Sequence, residues 1–120
     1  MEPLQELQQR ICRTYGAGFE PPAPGSKVGL AIPTLDRIPI HGVRLAPTDT
    51  TCGWYIYAGG EWSDAADFYQ PLCVEHMADY CRLAVPFLGL PPGWRFMIDG
   101  QGFIDVWQDA EPGAPADTAV

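Results

Sequence analysis

Apolar residues recur at helical spacing at the start of the chain. Leu4, Leu7, Ile11 and Tyr15 fall on one stripe, and polar residues occupy the positions between them. This period is typical of an amphipathic helix with one buried face. We therefore predict a helix over residues 3–15, ended by the two glycines that follow it, because glycine favours helix C-termini.

Three later segments have the composition of β-strands. The clearest is Cys52–Ala58, which is dense in aromatic residues and is followed by two glycines. Lys27–Ile32 is a second, stopped by Pro33, and Gly42–Leu45 is a short third. Glycine and proline occur thirteen times each, which favours short elements separated by turns.

The segment Pro71–Ala84 predicts a second helix. Proline suits the first turn of a helix, and Pro86 blocks continuation beyond the segment. In a helical projection one side collects apolar residues, which we expect to be buried: Val74, Met77, Cys81, Ala84 and Val85.

Two aromatic-rich runs around Gly100-Gln101-Gly102 predict a β-hairpin. With a three-residue loop, Ile98 faces Ile104 and Phe96 faces Val106, so one face is apolar. The other face then pairs Arg95 with Trp107 and Met97 with Asp105.

The order of elements predicts an α+β fold, with a small antiparallel sheet of four to five strands and two helices packed on one face. We expect a single folded unit with four parts: the N-terminal helix (1–18), a Pro-rich linker (19–26), an α+β domain (27–110) and a flexible tail (111–120).

The negative net charge of the chain limits the classes of molecule that it is expected to bind. The net charge is −8, and residues 49–120 hold eleven acids and two bases. Phosphates would be repelled, so we expect neither nucleic acid nor a membrane as partner, and a basic protein is favoured. The N-terminus has no apolar signal core, which predicts cytoplasmic localisation and four reduced cysteines.

Residues with candidate chemistry form no recognisable catalytic motif. Cys73, His76 and Cys81 are close in sequence, but a helix would point His76 and Cys81 in different directions, so we predict no metal site. No nucleophile elbow and no phosphate-binding loop is present. We predict no enzymatic activity and no cofactor.

Between Ile40 and Asp109 the chain resembles the immunity-protein-33-like family, small bacterial proteins of polymorphic toxin systems. The resemblance is carried by five blocks: His41-Gly42, Gly53–Ile56, Gln70–His76, Leu88–Phe96 and Asp105–Trp107. It implies a protein that neutralises a cognate toxin by binding it, and it brings no catalytic residues.

We therefore expect a non-enzymatic immunity-type protein that binds a basic toxin domain, itself a monomer or weak homodimer. Acidic and aromatic residues of the C-terminal half are the toxin-binding candidates: Glu61, Trp62, Asp64, Asp67, Tyr69, Glu75, Asp79, Asp99, Asp105 and Asp109.

Two alternative hypotheses remain. One is a small enzyme or ligand-binding domain with an aromatic pocket built from Trp54, Tyr57, Trp62, His41 and Glu61. The other is a homodimerising module with an apolar surface patch.

Overall fold

A computed structural model describes residues 4–60, 63 and 67–108. Six strands and two α-helices follow one another with short 3₁₀ turns between them. In chain order the elements are α1 (Leu4–Tyr15), β1 (Lys27–Leu30), β2 (Ile40–Arg44), β3 (Thr51–Ala58), β4 (Gln70–Cys73), α2 (Met77–Tyr80), β5 (Trp94–Ile98) and β6 (Ile104–Gln108). The 3₁₀ turns span Ile32–Thr34, Val74–His76 and Arg82–Phe87.

The strands form one mixed sheet in the order β4-β1-β3-β2-β5-β6. Strands β1 and β3 are parallel, and the other neighbours are antiparallel. The α+β class is confirmed. The sheet differs from the predicted one in two ways. Residues Gln70–Cys73 form a sixth strand, and β1 is parallel to β3 because β2, which lies between them in sequence, pairs with β3 on the side away from β1.

The prediction of a continuous helix over Pro71–Ala84 is wrong. Pro71 lies in β4, opposite Gly29 of β1, at an edge of the sheet where a missing N–H costs little. The helical part is a single turn, Met77–Tyr80, between two 3₁₀ turns. Three of the five residues predicted to form the apolar side of that helix are nevertheless buried: Met77, Cys81 and Ala84.

The predicted hairpin register is confirmed at all four pairs: Phe96–Val106, Ile98–Ile104, Arg95–Trp107 and Met97–Asp105. The two strands contribute unequally to the core. Phe96 and Ile98 are buried, whereas Ile104 is 49% exposed because β6 is the outermost strand of the sheet.

Helix α1 and the turn Arg82–Phe87 cover one face of the sheet and enclose the core. Cys12 of α1 is buried in that core, and the neighbouring Gln8 donates a hydrogen bond from Nε2 to the Val85 carbonyl (2.9 Å). Trp54 lies at the centre and donates from Nε1 to the Leu88 carbonyl (2.9 Å). The proposed division of the chain into helix, linker, domain and tail stays a prediction, and the tail lies outside the described residues.

No helix in the described part of the chain is both long enough and apolar enough to cross a membrane.

Candidate functional site

The sheet face opposite the helices carries a concentration of aromatic side chains. Strand pairing identifies this face, because directly opposed residues share one side of a sheet. His41 is paired with both Tyr57 and Met97, and Val43 with Tyr55. We call this surface the aromatic face and define it by its ring-bearing residues: His41, Tyr55, Tyr57, Phe68, Tyr69 and Trp107.

Five of these rings form a continuous row across the sheet. His41 stacks on Tyr57 with ring centroids 4.5 Å apart, and Tyr57 contacts Phe68 at 5.9 Å. Phe68 contacts Tyr69 at 4.9 Å, and Tyr69 contacts Tyr55 at 5.1 Å. Offset and edge-to-face contacts at these distances stabilise aromatic pairs, so the row holds itself in a defined arrangement. All five rings are half-buried.

Gly29 of β1 sets the position of one end of the row. A Cβ atom at residue 29 would lie 2.6 Å from the Tyr55 ring. The missing side chain therefore lets Tyr55 lie across β1, where its ring reaches Tyr69. A larger residue at position 29 would displace Tyr55 from the row.

The rings of the aromatic face are uncharged at neutral pH. His41 Nε2–H donates to the Gly59 carbonyl (2.9 Å), and partial burial lowers the pKa of its imidazole. Burial also raises the pKa of Tyr57, and the nearby positive charge of Arg95 acts in the opposite direction. The fixed charges come from Arg95 within the face and from two exposed carboxylates, Asp67 and Asp105.

The structure distributes the predicted toxin-binding residues over several places. Tyr69 belongs to the aromatic face, and Asp67 immediately precedes its Phe68. Asp105 lies on the same face at the opposite edge of the sheet, opposite Met97. Glu61, Trp62, Asp64 and Asp109 lie outside the described residues.

Three other candidates form contacts with residues outside the aromatic row. The Asp99 carboxylate accepts hydrogen bonds from the amides of Gln101 (2.8 Å) and Phe103 (3.0 Å), which closes the hairpin loop. Glu75 accepts from the Gly25 amide (2.8 Å), an interaction that lowers the pKa of its carboxyl. Asp79 is paired with His76 on the short α2 segment (3.7 Å).

The alternative aromatic pocket is not assembled as predicted. Trp54 and Tyr57 are three residues apart on one strand, so their side chains point to opposite faces of the sheet. Trp54 is fully buried in the core, whereas Tyr57 and His41 stack on the aromatic face. The other two members of that pocket, Trp62 and Glu61, lie outside the described residues.

Within the described ranges, no three His, Cys, Asp or Glu side chains are close enough to hold a metal ion. Cys73 Sγ accepts a hydrogen bond from Lys27 Nζ (3.1 Å), and Cys81 is buried in the core.

The continuity of the aromatic face is the functional feature that sequence reasoning missed. The alternation of Tyr55 and Tyr57 in a strand was the available signal, since residues two apart share a face. Phe68 and Tyr69 join the aromatic face because the chain returns to the sheet directly after them as β4. That strand was predicted as helix, so their position could not be predicted.

Comparison with known families identifies the chain. The family model described as Imm33-like domain matches residues 7–109, a span that includes most of α1 and so exceeds the resemblance visible from Ile40 onward. No curated protein and no solved structure matches the chain. Because the matched span covers most of the 120 residues, the chain belongs to the Imm33-like domain family.

Proposed function

We propose that this protein is an immunity-type protein that binds a cognate toxin protein and blocks it through the aromatic face. Membership of the Imm33-like domain family supports the role of toxin partner. The row of five half-buried rings beside Arg95 is the observation that carries the choice of surface.

The composition of the aromatic face suits a protein interface. Tyrosine, tryptophan and arginine dominate the binding energy of protein interfaces, usually near the centre of the buried patch. Here Tyr55, Tyr57 and Arg95 lie on the inner strands of the sheet. Asp105 lies on the edge strand β6, and Asp67 precedes Phe68 just ahead of the other edge strand, β4. This arrangement places apolar contact area inside and negative charge at the rim.

The rim charge favours a basic toxin surface. The whole chain carries −8, and residues 49–120 alone carry −9. Opposite charges at a rim accelerate encounter more than they slow dissociation. Occlusion of a basic substrate-binding surface by the aromatic face would be sufficient to inhibit the toxin without any chemistry.

The test compares Tyr69→Ala with Tyr80→Ala, a change of the same residue type outside the aromatic face. Tyr80 lies on α2 and is 49% exposed. Binding to a cognate toxin domain is measured by calorimetry. Removing an interface tyrosine costs roughly 2 kcal/mol or more at a hot spot, so we expect at least a tenfold rise in Kd for Tyr69→Ala and little change for Tyr80→Ala.

The electrostatic part of the proposal is tested by Asp67→Lys. We expect slower association, with an effect that shrinks at high salt because screening shortens the range of charge interactions. Glu6→Lys, an exposed charge reversal in α1, is the matched control. Equal association rates for the two variants would place the toxin elsewhere on the molecule.

A further inference from the structure

A groove of about 560 Å³ opens at the end of the sheet where β1 and β3 begin and β2 ends. One wall is the proline-rich segment 20–27 and the other is the turn 47–52. Ser26 and Thr48 fix these walls. The Ser26 amide donates to the Ala23 carbonyl (3.1 Å), and Thr48 Oγ1 accepts from the amides of Thr50 (3.3 Å) and Thr51 (3.2 Å). None of the residues that line the groove belongs to the aromatic face.

Arg44 lines the groove as a buried charge. Its side chain is 2% exposed, and its guanidinium carbon lies 5.8 Å from the centre of the Trp54 ring. Nε donates to the Cys52 carbonyl (3.0 Å), and Nη1 donates to the carbonyls of Leu90 (2.8 Å) and Glu20. Three backbone segments are thereby tied to one side chain.

A glycine brings one of these carbonyls into place. Gly53 has a φ of +97°, and a Cβ atom there would lie 2.0 Å from the Leu45 carbonyl oxygen. The pairing of β1 with β3 is irregular at this point, between the Lys27–Thr51 and Gly29–Tyr55 pairs. The resulting bulge directs the Cys52 carbonyl towards Arg44 Nε.

The hydrogen bonds of Arg44 leave its charge without a direct counter-ion. All three acceptors are neutral carbonyls, and no carboxylate in the described part of the chain forms an ion pair with the guanidinium. The carboxylate of Glu20 is near enough to act on it electrostatically, but this residue is exposed. A buried charge is stable only when polar partners replace its lost hydration, and arginine stays protonated at neutral pH.

One nitrogen of the guanidinium remains available. Nη2 has no hydrogen-bond partner among the described residues. Every fully buried side-chain nitrogen and oxygen in the described part of the chain does have a partner. Nη2 is therefore not fully buried, and the groove is the open space that the Arg44 side chain lines. Nη2 carries two N–H donors without an acceptor in the described residues, and the groove has a volume typical of small-ligand sites.

We propose that this groove binds a carboxylate group, presented by a peptide segment or a small organic acid, with one carboxylate oxygen accepting a hydrogen bond from Arg44 Nη2. The other charges of the lining determine the kind of anion. Lys27 lines the groove but donates from Nζ to Cys73 Sγ, so Arg44 supplies the positive charge, whereas Glu20 and Asp49 place two negative charges along the lining. A group with a single negative charge is accepted, and a dianionic phosphate is disfavoured by the two carboxylates.

The experiment follows backbone amides and the Arg44 Nε–H signal by two-dimensional NMR of the isolated full chain. Four probes are titrated separately at low salt: propionate, a tetrapeptide with a free C-terminal carboxylate, the same tetrapeptide as its C-terminal amide, and inorganic phosphate. We expect saturable shifts at Arg44 Nε–H and at Thr50 and Thr51 with propionate and with the free acid. The amide and phosphate are expected to bind at least about tenfold more weakly, because charge-assisted hydrogen bonds are among the strongest polar contacts.

The two carboxylate probes distinguish the source of the group. Tighter binding of the peptide acid than of propionate assigns the groove to a peptide segment, and equal binding assigns it to a small acid. If phosphate binds as tightly as propionate, or if the peptide amide binds as tightly as the acid, the carboxylate assignment is overturned.

Variants locate the binding. Because Arg44 holds three backbone segments, Arg44→Gln risks unfolding the protein, so a steric variant is used instead. Ala23→Trp places a large side chain at an exposed position of the groove wall, and Ala78→Trp introduces the same residue at an exposed position of α2. We expect the first to abolish the shifts and the second to leave them unchanged. Shifts that persist in Ala23→Trp would refute the site.

Discussion

Replacing Phe96 with alanine removes the best-packed ring of the hairpin. Phe96 is 1% exposed and lies on the covered face of the sheet. Its ring stacks on Phe87 at 5.0 Å and contacts Trp54 at 5.4 Å. The substitution therefore empties a space in the centre of the core and breaks two aromatic contacts.

The expected loss follows from these contacts. Truncating a buried phenylalanine to alanine costs about 3–5 kcal/mol, and each aromatic pair contributes about 0.5–1.5 kcal/mol. Because two pairs are lost at an almost fully buried position, we expect a loss of about 4 kcal/mol in the free energy of unfolding. A domain of this size has about 5–15 kcal/mol of stability, so the variant should still fold.

The assay is urea unfolding followed by far-ultraviolet circular dichroism, since fluorescence would also report the altered surroundings of Trp54. With a slope of roughly 2 kcal/mol per molar urea, the midpoint should fall by about 2 M. Phe103→Ala is the matched control, because this phenylalanine lies in the same hairpin and is 47% exposed. Burying half of such a side chain is worth about 1 kcal/mol, so its midpoint should fall by roughly 0.5 M. A loss below about 1 kcal/mol for Phe96→Ala, or equal losses for the two variants, would refute the packing argument.

Two further predictions concern titration and thiol reactivity. The pKa of His41 is lowered by burial from its ordinary value of 6.5, so the unfolded chain binds a proton more readily than the folded one. The contribution of His41 to stability should therefore be complete above pH 6.5 and be lost as the pH falls from there through the lowered pKa of the folded state. Urea midpoints measured between pH 7.5 and 5.5 should show this loss, and His41→Gln should reduce it. His76→Gln, at an exposed position, should retain it. Cys73 is the one half-buried cysteine among four free ones, so a thiol reagent should modify it first in the native protein and all four in urea without reductant. Recovery of only two reactive thiols, or of no fast one, would contradict this.

The spacing of apolar and turn residues predicted correctly those elements that are held by contacts between residues close in sequence. The spacing of apolar residues located α1 to within a residue, and the loop length of the hairpin fixed its register. Both succeed because a helix and a tight hairpin are closed by contacts between residues a few positions apart. The half-exposed state of Ile104 was missed, because burial on an outer strand depends on what packs beside it.

Pro71 shows where local pattern fails. Proline is acceptable both in the first turn of a helix and in an edge strand, so the residue alone does not decide between them. The parallel pairing of β1 with β3 gives β4 an edge to join, and that pairing involves residues more than twenty positions apart. The spacing of apolar residues within one segment carries no information about such a long-range strand pairing.

The two candidate sites also have some features that follow from local sequence and others that depend on the tertiary structure. The sequence by itself determined that Tyr55 and Tyr57 share a face, since alternation in a strand follows from backbone geometry. Only the tertiary structure decided that Gly29 gives Tyr55 room to reach Tyr69. In the sequence Arg44 is one charged residue at the end of a strand. Its burial, its three carbonyl partners and its single open nitrogen arise only when β3, the proline-rich segment 20–27 and the turn that contains Leu90 pack around the end of β2. The physical reason is that alternation and helical spacing are properties of the local backbone, whereas desolvation and hydrogen-bond saturation depend on distant segments packed around a side chain.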